Sequence, residues 1–410
     1  MVMELRPILS AMRRNKVGAI LIGVQMAITL AILCNALFII EQRLALSHRP
    51  TGMDESNNFV VTNQWVGNPT DLKAKLQGDL AALRSLPGVI DATALNSYPL
   101  SNGGSTEGLL LTPDQKEPTA LSALYEMDEH GLQAAGLTLV AGRNFTAEEV
   151  RDKFGYLDVT PPAAVIITRT LAEKLFPGRS ALGQSVYFGG HTQPAAVVGI
   201  VERLQVPWTQ AGGWGSQFND NSTIEPMRYV SPYTHYLVRV QPGRIAAVMR
   251  AAEQALIALD RARVLEKTWT LTEARADAYQ DDRGLAVILG VVCAALAAVT
   301  AFGIVGLTSY WVAQRRRQIG IRRALGATRP AIIRYFQTEN LLIAAAGAAL
   351  GIALTLLLNL WMVSAFEMPR LPPGYVLIGA IVVLLLGQLA VLWPALKAAS
   401  VPPALATRAA

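Results

Sequence analysis

Four long uncharged stretches break the alternation of apolar and polar positions along this chain. They are Val17–Ile40 (24 residues), Gly284–Ala313 (30), Leu341–Phe366 (26) and Tyr375–Leu396 (22), and none contains Asp, Glu, Lys or Arg. A hydrocarbon layer about 30 Å thick needs roughly 20 apolar residues at 1.5 Å each, so all four predict membrane-spanning helices. The first follows Arg13, Arg14 and Lys16, as a cleaved leader would. It is longer than the roughly 7–15 residues of a leader's apolar core and ends in Ile39-Ile40-Glu41-Gln42-Arg43, so we expect a retained helix.

Between the first two stretches the pattern is that of folded protein. Near its start, residues 57–63 read as a strand, 71–85 as a helix with Leu72, Leu76, Leu80 and Leu83 on one face, and 88–95 as a second strand. Near its end, 235–240, 244–259 and 267–272 repeat strand, helix, strand. Two β-α-β passages at the edges of one insertion predict a subdomain built from both ends of it. The middle, about 100–228, then forms a second subdomain, with strands at 164–168 and 195–201, a short helix at 169–176, and flexible loops at 102–104 and 211–215. The charged, glycine-free run 271–283 predicts a stiff stalk that continues into the second spanning helix, and 41–47 a similar extension of the first.

Composition agrees, at 52% hydrophobic and only 16% charged residues. Charge distribution sets the orientation. Residues 1–16 carry four Lys/Arg against one acid and 314–340 seven Arg against one Glu, whereas 41–283 hold 22 basic and 27 acidic side chains, a net of −5. Basic loops stay in the cytoplasm, so both termini and 314–340 are expected inside and 41–283 outside. The overall +6 therefore reflects topology, and no nucleic-acid partner is expected.

Catalytic and metal-binding patterns do not occur. There is no G-x-x-x-x-G-K-[ST] phosphate loop, no H-E-x-x-H and no G-x-S-x-G, and His48, His130, His191 and His235 are scattered. Cys34 and Cys293 both sit in apolar stretches, so no disulfide framework is available. The spanning segments lack the mid-depth charges of an ion-coupled transporter. Energy is therefore expected from another chain.

The most informative stretch is 314–351, QRRRQIGIRRALGATRPAIIRYFQTENLLIAAAGAALG. It predicts a basic helix to about Leu325, a break at Gly326-Ala327-Thr328, and a new helix with Thr328 as N-cap and Pro330 in its first turn. Lipid attraction accounts for Arg315–Arg317 but requires no fixed residue order. The ordered string Ile319-Gly320-Ile321-Arg322-Arg323-Ala324-Leu325-Gly326-Ala327, followed by Glu339 and by Gly347-x-x-x-Gly351, resembles the FtsX/MacB-type permeases of ABC transporters. Outside the membrane, 139–145 (LVAGRNF), 164–168, 172–178 (AEKLFPG), Leu182-Gly183 and 197–201 are similar to that family's periplasmic core. Gln318 stands where the family commonly has Glu, and 127–132 departs from its usual turn.

That resemblance implies a membrane protein of four transmembrane helices plus an α+β outer domain with a βαβ-type, porter-like part and a mixed α/β insertion. The expected order is a cytoplasmic 1–16, helix 17–40, a MacB-like periplasmic 41–283, helix 284–313, coupling segment 314–340, helix 341–366, turn 367–374, helix 375–396 and cytoplasmic tail 397–410. It implies a non-catalytic permease in the bacterial inner membrane, without a cofactor of its own. ATP and Mg would reside in a partner ABC ATPase docking on Ile319, Gly320, Arg322, Arg323, Ala324, Leu325, Gly326 and Ala327, with Gly347 and Gly351 packing helices. It further implies a second permease copy or paralogue, and leaves open a periplasmic adaptor and outer-membrane channel. Mechanotransmission for efflux is the leading expectation, with cell-wall hydrolase signalling and lipoprotein extraction as alternatives. In the second spanning helix, Gly290, Gly303 and Gly306 either permit close packing or are ordinary membrane glycines, and the sequence favours neither reading.

Overall fold

A computed structural model describes residues 16–400 apart from 68, 156–157, 210–217, 219 and 367. The N-terminal 1–15, the expected loop 211–215 and the tail beyond 400 thus lie outside the described residues. Two compact units form, one of Met1–Ala45 with Asp282–Ala410 and one of Leu46–Asp281. The described residues open with helix α1 (Lys16–Ser47).

The outer unit follows. Its first passage is β1 (Asn58–Trp65), α2 (Leu72–Ser85) and β2 (Val89–Leu95). The middle holds β3 (Ser105–Leu110), β4 (Ala120–Met127), α3 (Gly131–Ala135), β5 (Leu139–Gly142) and β6 (Arg151–Phe154). It continues with β7 (Ala164–Thr168), α4 (Arg169–Leu175), β8 (Ser185–Phe188), β9 (Pro194–Val201) and β10 (Ser222–Val230). The last passage is β11 (Tyr233–Val240), α5 (Ile245–Leu259), β12 (Arg263–Thr270) and α6 (Leu271–Ala278).

The two outer β-α-β passages interleave in one sheet of order β12-β1-β11-β2, all neighbours antiparallel. Each passage leaves a gap that the other's first strand fills, the split βαβ or ferredoxin-like arrangement. Strand alternation divides the burial. Phe59, Val61, Tyr236 and Val238 pack against Leu76, Leu80 and Leu83 of α2 and Val248 and Leu256 of α5. Val60, Leu95 and Leu237 point the other way, into a core shared with Tyr125, Ile166 and Ile224 of the middle subdomain. Under the helices, Arg263 forks onto Asp79 with two 2.8 Å hydrogen bonds, and the Tyr236 hydroxyl donates to the same carboxylate at 2.6 Å. All three side chains are buried, so each charge depends on the others.

The middle subdomain runs β4-β3-β8-β9-β7-β10-β6, and an additional β10–β4 pairing closes six of these strands into a ring. Helix α4 covers one flank through Leu171 and Leu175.

Two expectations change here. The strand expected over 267–272 starts at Arg263 and ends at Thr270, because Thr270 caps α6: its hydroxyl accepts from the Glu273 amide (3.0 Å) while Glu273 accepts from the Thr270 amide (2.8 Å). The stalk expected to run unbroken through 283 is interrupted at Tyr279, whose backbone leaves the helical path at φ −106° and ψ 17°. The Tyr279 ring is 1% exposed and its hydroxyl accepts from the Gln205 side chain (3.2 Å), so anchoring it in the outer unit breaks the helix.

The membrane unit resumes with α7 (Gln280–Gln314), α8 (Arg316–Ala324), α9 (Arg329–Phe366) and α10 (Pro373–Ala399). Helices α1, α7, α9 and α10 are each long and apolar enough to span a bilayer, and the chain is a four-span membrane protein. Gly347 and Gly351 meet Gly23 and Ala27 of α1 so closely that a Cβ on Gly347 would lie 2.7 Å from the Gly23 carbonyl oxygen. These two small-residue faces let the backbones touch. Polar groups pin the bundle within its apolar layer: Thr29 to Thr300 (2.7 Å), Gln25 to the Val299 carbonyl (3.1 Å) and Asn35 to the Thr355 carbonyl (3.3 Å). The close-packing reading of the α7 glycines holds only for Gly303, which meets Gln25; Gly290 and Gly306 have nothing within 4 Å. The second helix is fixed to its neighbours by Thr300, Ile304, Thr308 and Trp311 instead.

Candidate coupling site

The basic elbow between α7 and α9 is built from helix ends. Helix α8 finishes in a Schellman turn: Gly326 N–H donates to the Arg323 carbonyl (3.1 Å) and Ala327 N–H to that of Arg322 (3.0 Å). Gly326 has φ +95°, where a side chain is strained, so its role is conformational. Helix α9 then starts at Arg329, with the Ala331 amide on the Thr328 carbonyl (3.1 Å).

Helix α8 is amphipathic, and its two faces have different fates. Ile319 and Gly320 are buried, Ile319 within the bundle core, where it also faces the cavity described below. Arg322, Ala324, Leu325 and Gly326 are exposed, with Leu325 at 83%, while Arg323 and Ala327 are half-buried. The Arg315 guanidinium lies against both Glu339 oxygens (2.9 and 3.1 Å), with the acid nearly buried. Arg315 is therefore committed to α9 and is not the lipid-facing charge its position in an Arg triplet suggested.

Between α8 and the first turns of α9 lies an open-sided cavity of about 240 Å³. Ile319, Ile332 and Phe336 give it an apolar floor, while Arg315, Gln318, Arg322 and Tyr335 form its rim. Arg322 sits 5.0 Å above the Tyr335 ring, a cation–π contact that holds it at the edge. The segment's one acid is consumed by Arg315, leaving the rim basic. An apolar knob flanked by carboxylates fits such a cavity. Sequence reasoning missed Tyr335, Phe336 and Ile332, which read as the opening of an apolar helix; only the helix break at Gly326, which folds α9 back beside α8, could have pointed to them.

A family model for the FtsX-like permease C-terminal region matches residues 290–403, and one for the MacB-like periplasmic core domain matches residues 17–256. The chain is 24% identical over 229 residues to the macrolide export ATP-binding/permease protein MacB of Chromobacterium violaceum, covering 54% of this chain and 32% of that protein. It is also 24% identical over 243 residues to the MacB of Escherichia coli (strain K12), covering 58% and 35%. The matched region thus spans about a third of the length of these curated relatives. Among solved structures, the periplasmic region of MacB from Actinobacillus actinomycetemcomitans aligns at 14% identity and TM-score 0.34, over 57% of this chain and 97% of that one. The extracellular domain of the ABC-type transporter YknZ from Gram-positive bacteria aligns at 17% and TM-score 0.32, over 51% and 100%.

Proposed function

This chain belongs to the family of ABC permeases with a MacB-like periplasmic core domain and an FtsX-like C-terminal region, and from that premise we propose that it is the force-transmitting permease subunit of an efflux system driven by a separate ABC ATPase. The observation that carries the proposal is the elbow: a basic-rimmed apolar cavity beside an exposed Leu325, on a turn that links two spanning helices. ATP and Mg reside in the partner, whose acidic and apolar docking segment enters the cavity. The positive charge of 314–340 supports a cytoplasmic elbow and an outer domain beyond the inner membrane.

Transmission follows from connectivity. Arg315 at the end of α7 is bonded to Glu339 on α9, so a push on α8 moves both helices together. Helix α7 continues unbroken for 35 residues to Gln280, next to the Tyr279 anchor of the outer unit. Two permease copies, or this chain and a paralogue, would be driven together by paired ATPases. The likeness to macrolide exporters supports export as the task, and an adaptor and outer channel would be further partners. The wholly uncharged spans fit a machine that works on substrate at its outer side better than one that moves it through a polar path.

Leu325→Asp tests this most cleanly, since Gly326 substitutions would also strain the turn. An ABC ATPase should co-purify with the native chain, be lost with Leu325→Asp, and membrane insertion should not change. Equal recovery from both would overturn the docking site, and ATP turnover by the purified chain alone would overturn the subunit assignment.

A further inference from the structure

A second pocket, of about 320 Å³, lies in the outer unit on the face of the four-stranded sheet turned away from α2 and α5. Lys267, Thr62 and His235 are register partners across β12, β1 and β11, so they form one row, and Tyr233 lies two residues before His235 on the same face. Tyr98 reaches in from the loop after β2. The His235 ring stands edge-on between two tyrosines, 5.1 Å from Tyr98 at 84° and 5.2 Å from Tyr233 at 85°. Its Nδ1 is bonded to the Thr62 hydroxyl at 3.0 Å, which fixes the ring.

The polar groups are unevenly satisfied. The Tyr98 hydroxyl accepts from Trp269 Nε1 (3.1 Å), and among the described residues nothing accepts its own proton, although Tyr98 is only 4% exposed. His235 is neutral at pH 7, burial pulling it down to about 4. Lys267 lines the pocket but its ammonium is turned aside, 3.2 Å above the Trp269 ring and 3.8 Å from Asp277. Glu266 lines the same mouth beside the Tyr233 hydroxyl and is the anionic group there. Aromatic walls with a carboxylate at the mouth attract an organic cation, and a buried hydroxyl with an unspent proton wants an acceptor.

We propose that this pocket binds a small amine-bearing molecule, its ammonium held by Tyr233 and Glu266 and a hydroxyl or carbonyl oxygen of the same molecule received by Tyr98. The pocket's volume suits one ring or a short chain of that chemistry. An anion would meet Glu266, and a purely apolar molecule would leave the Tyr98 proton unpaired. The assignment stands on the outer unit alone and is independent of the elbow.

The test uses the full chain in nanodiscs with ring-labelled histidine. Only four histidines occur, and His235→Gln identifies the signal of interest. Choline is the first probe and its uncharged isostere 3,3-dimethylbutan-1-ol the second. Choline should shift the His235 resonance saturably, with the isostere weaker by roughly tenfold. Glu266→Gln and Tyr233→Ala should each weaken choline several-fold, whereas Tyr233→Phe should retain most of it; both positions are exposed, so the variants keep the fold. Equal binding of the two probes, absence of a saturable shift, or choline binding unaffected by Tyr233→Ala would each overturn the proposal.

Discussion

Removing the Glu339 charge should loosen the elbow from α9. In Glu339→Gln the side chain keeps its volume, but Arg315 faces a neutral amide in place of a carboxylate it met at 2.9 and 3.1 Å. Breaking a fully buried ion pair from one side costs about 3–5 kcal/mol. Here Glu339 retains 4% exposure and Arg315 13%, so the guanidinium recovers part of its hydration, and we expect about 2–3 kcal/mol. Unfolding in mixed micelles, followed by circular dichroism, measures the loss. The sharper quantity is the double-mutant cycle with Arg315→Gln, in which the double variant should be less destabilised than the sum of the singles by about 1.5–3 kcal/mol. Additivity within about 0.5 kcal/mol would mean that the two helices are not energetically joined at this point, and the transmission route through Arg315 would fail with it.

The other expectations use the same logic. Gly347→Val should separate α1 from α9 and lower the melting temperature markedly, because its Cβ would lie 2.7 Å from the Gly23 carbonyl, whereas Gly290→Ala, facing open space, should be neutral or slightly stabilising. Comparable losses for both would refute the packing assignment. Asp79→Ala leaves Arg263 buried without its carboxylate and should cost the outer unit about 3–5 kcal/mol by denaturant titration; a loss below 1 kcal/mol would contradict the network. Burial pushes Glu225 up to about 7 from an ordinary value near 4.5, with Lys153 and Arg151 opposing and Glu126 adding to the shift. The folded state thus holds that proton more tightly than the unfolded chain. The resulting stability is fully present below about pH 4.5 and is lost as pH rises through 7, so melting should fall over that interval and the slope should shrink in Glu225→Gln. An unchanged slope would exclude Glu225 as its source.

Four spanning helices were legible because more than 20 uncharged residues in a row admit few other structures, and the flanking β-α-β passages because their leucines recur at helical spacing between alternating strands. The middle subdomain was not. Strands β5, β6 and β8 are four residues each, too short for a period-2 pattern, and β4 and β10 carry Glu126 and Glu225, buried acids that read as exposed until β6 brings Lys153 to Glu126 at 2.7 Å. Ring closure through β4 and β10 joins segments about 100 residues apart, which no local signal encodes. At the elbow, the expected contact residues came from the family resemblance, and four of the eight, Arg322, Ala324, Leu325 and Gly326, are exposed. The cavity depended on Arg315 finding Glu339 and on α9 lying back along α8, both matters of packing. Tyr279 is an acceptable helix residue, so only its burial shows why the stalk breaks there.

The middle subdomain begins and ends on neighbouring strands, since Leu95, the last residue of β2, is the register partner of His235 near the start of β11. Some 140 residues are therefore inserted between two adjacent strands, and they fold back onto the sheet face that carries Val60, Leu95 and Leu237. A short hairpin joining residues 95 and 235 would bare that face, so the sheet and its two helices should lose stability without the lobe, and the cation pocket, which lies on the same face, would be laid open with it.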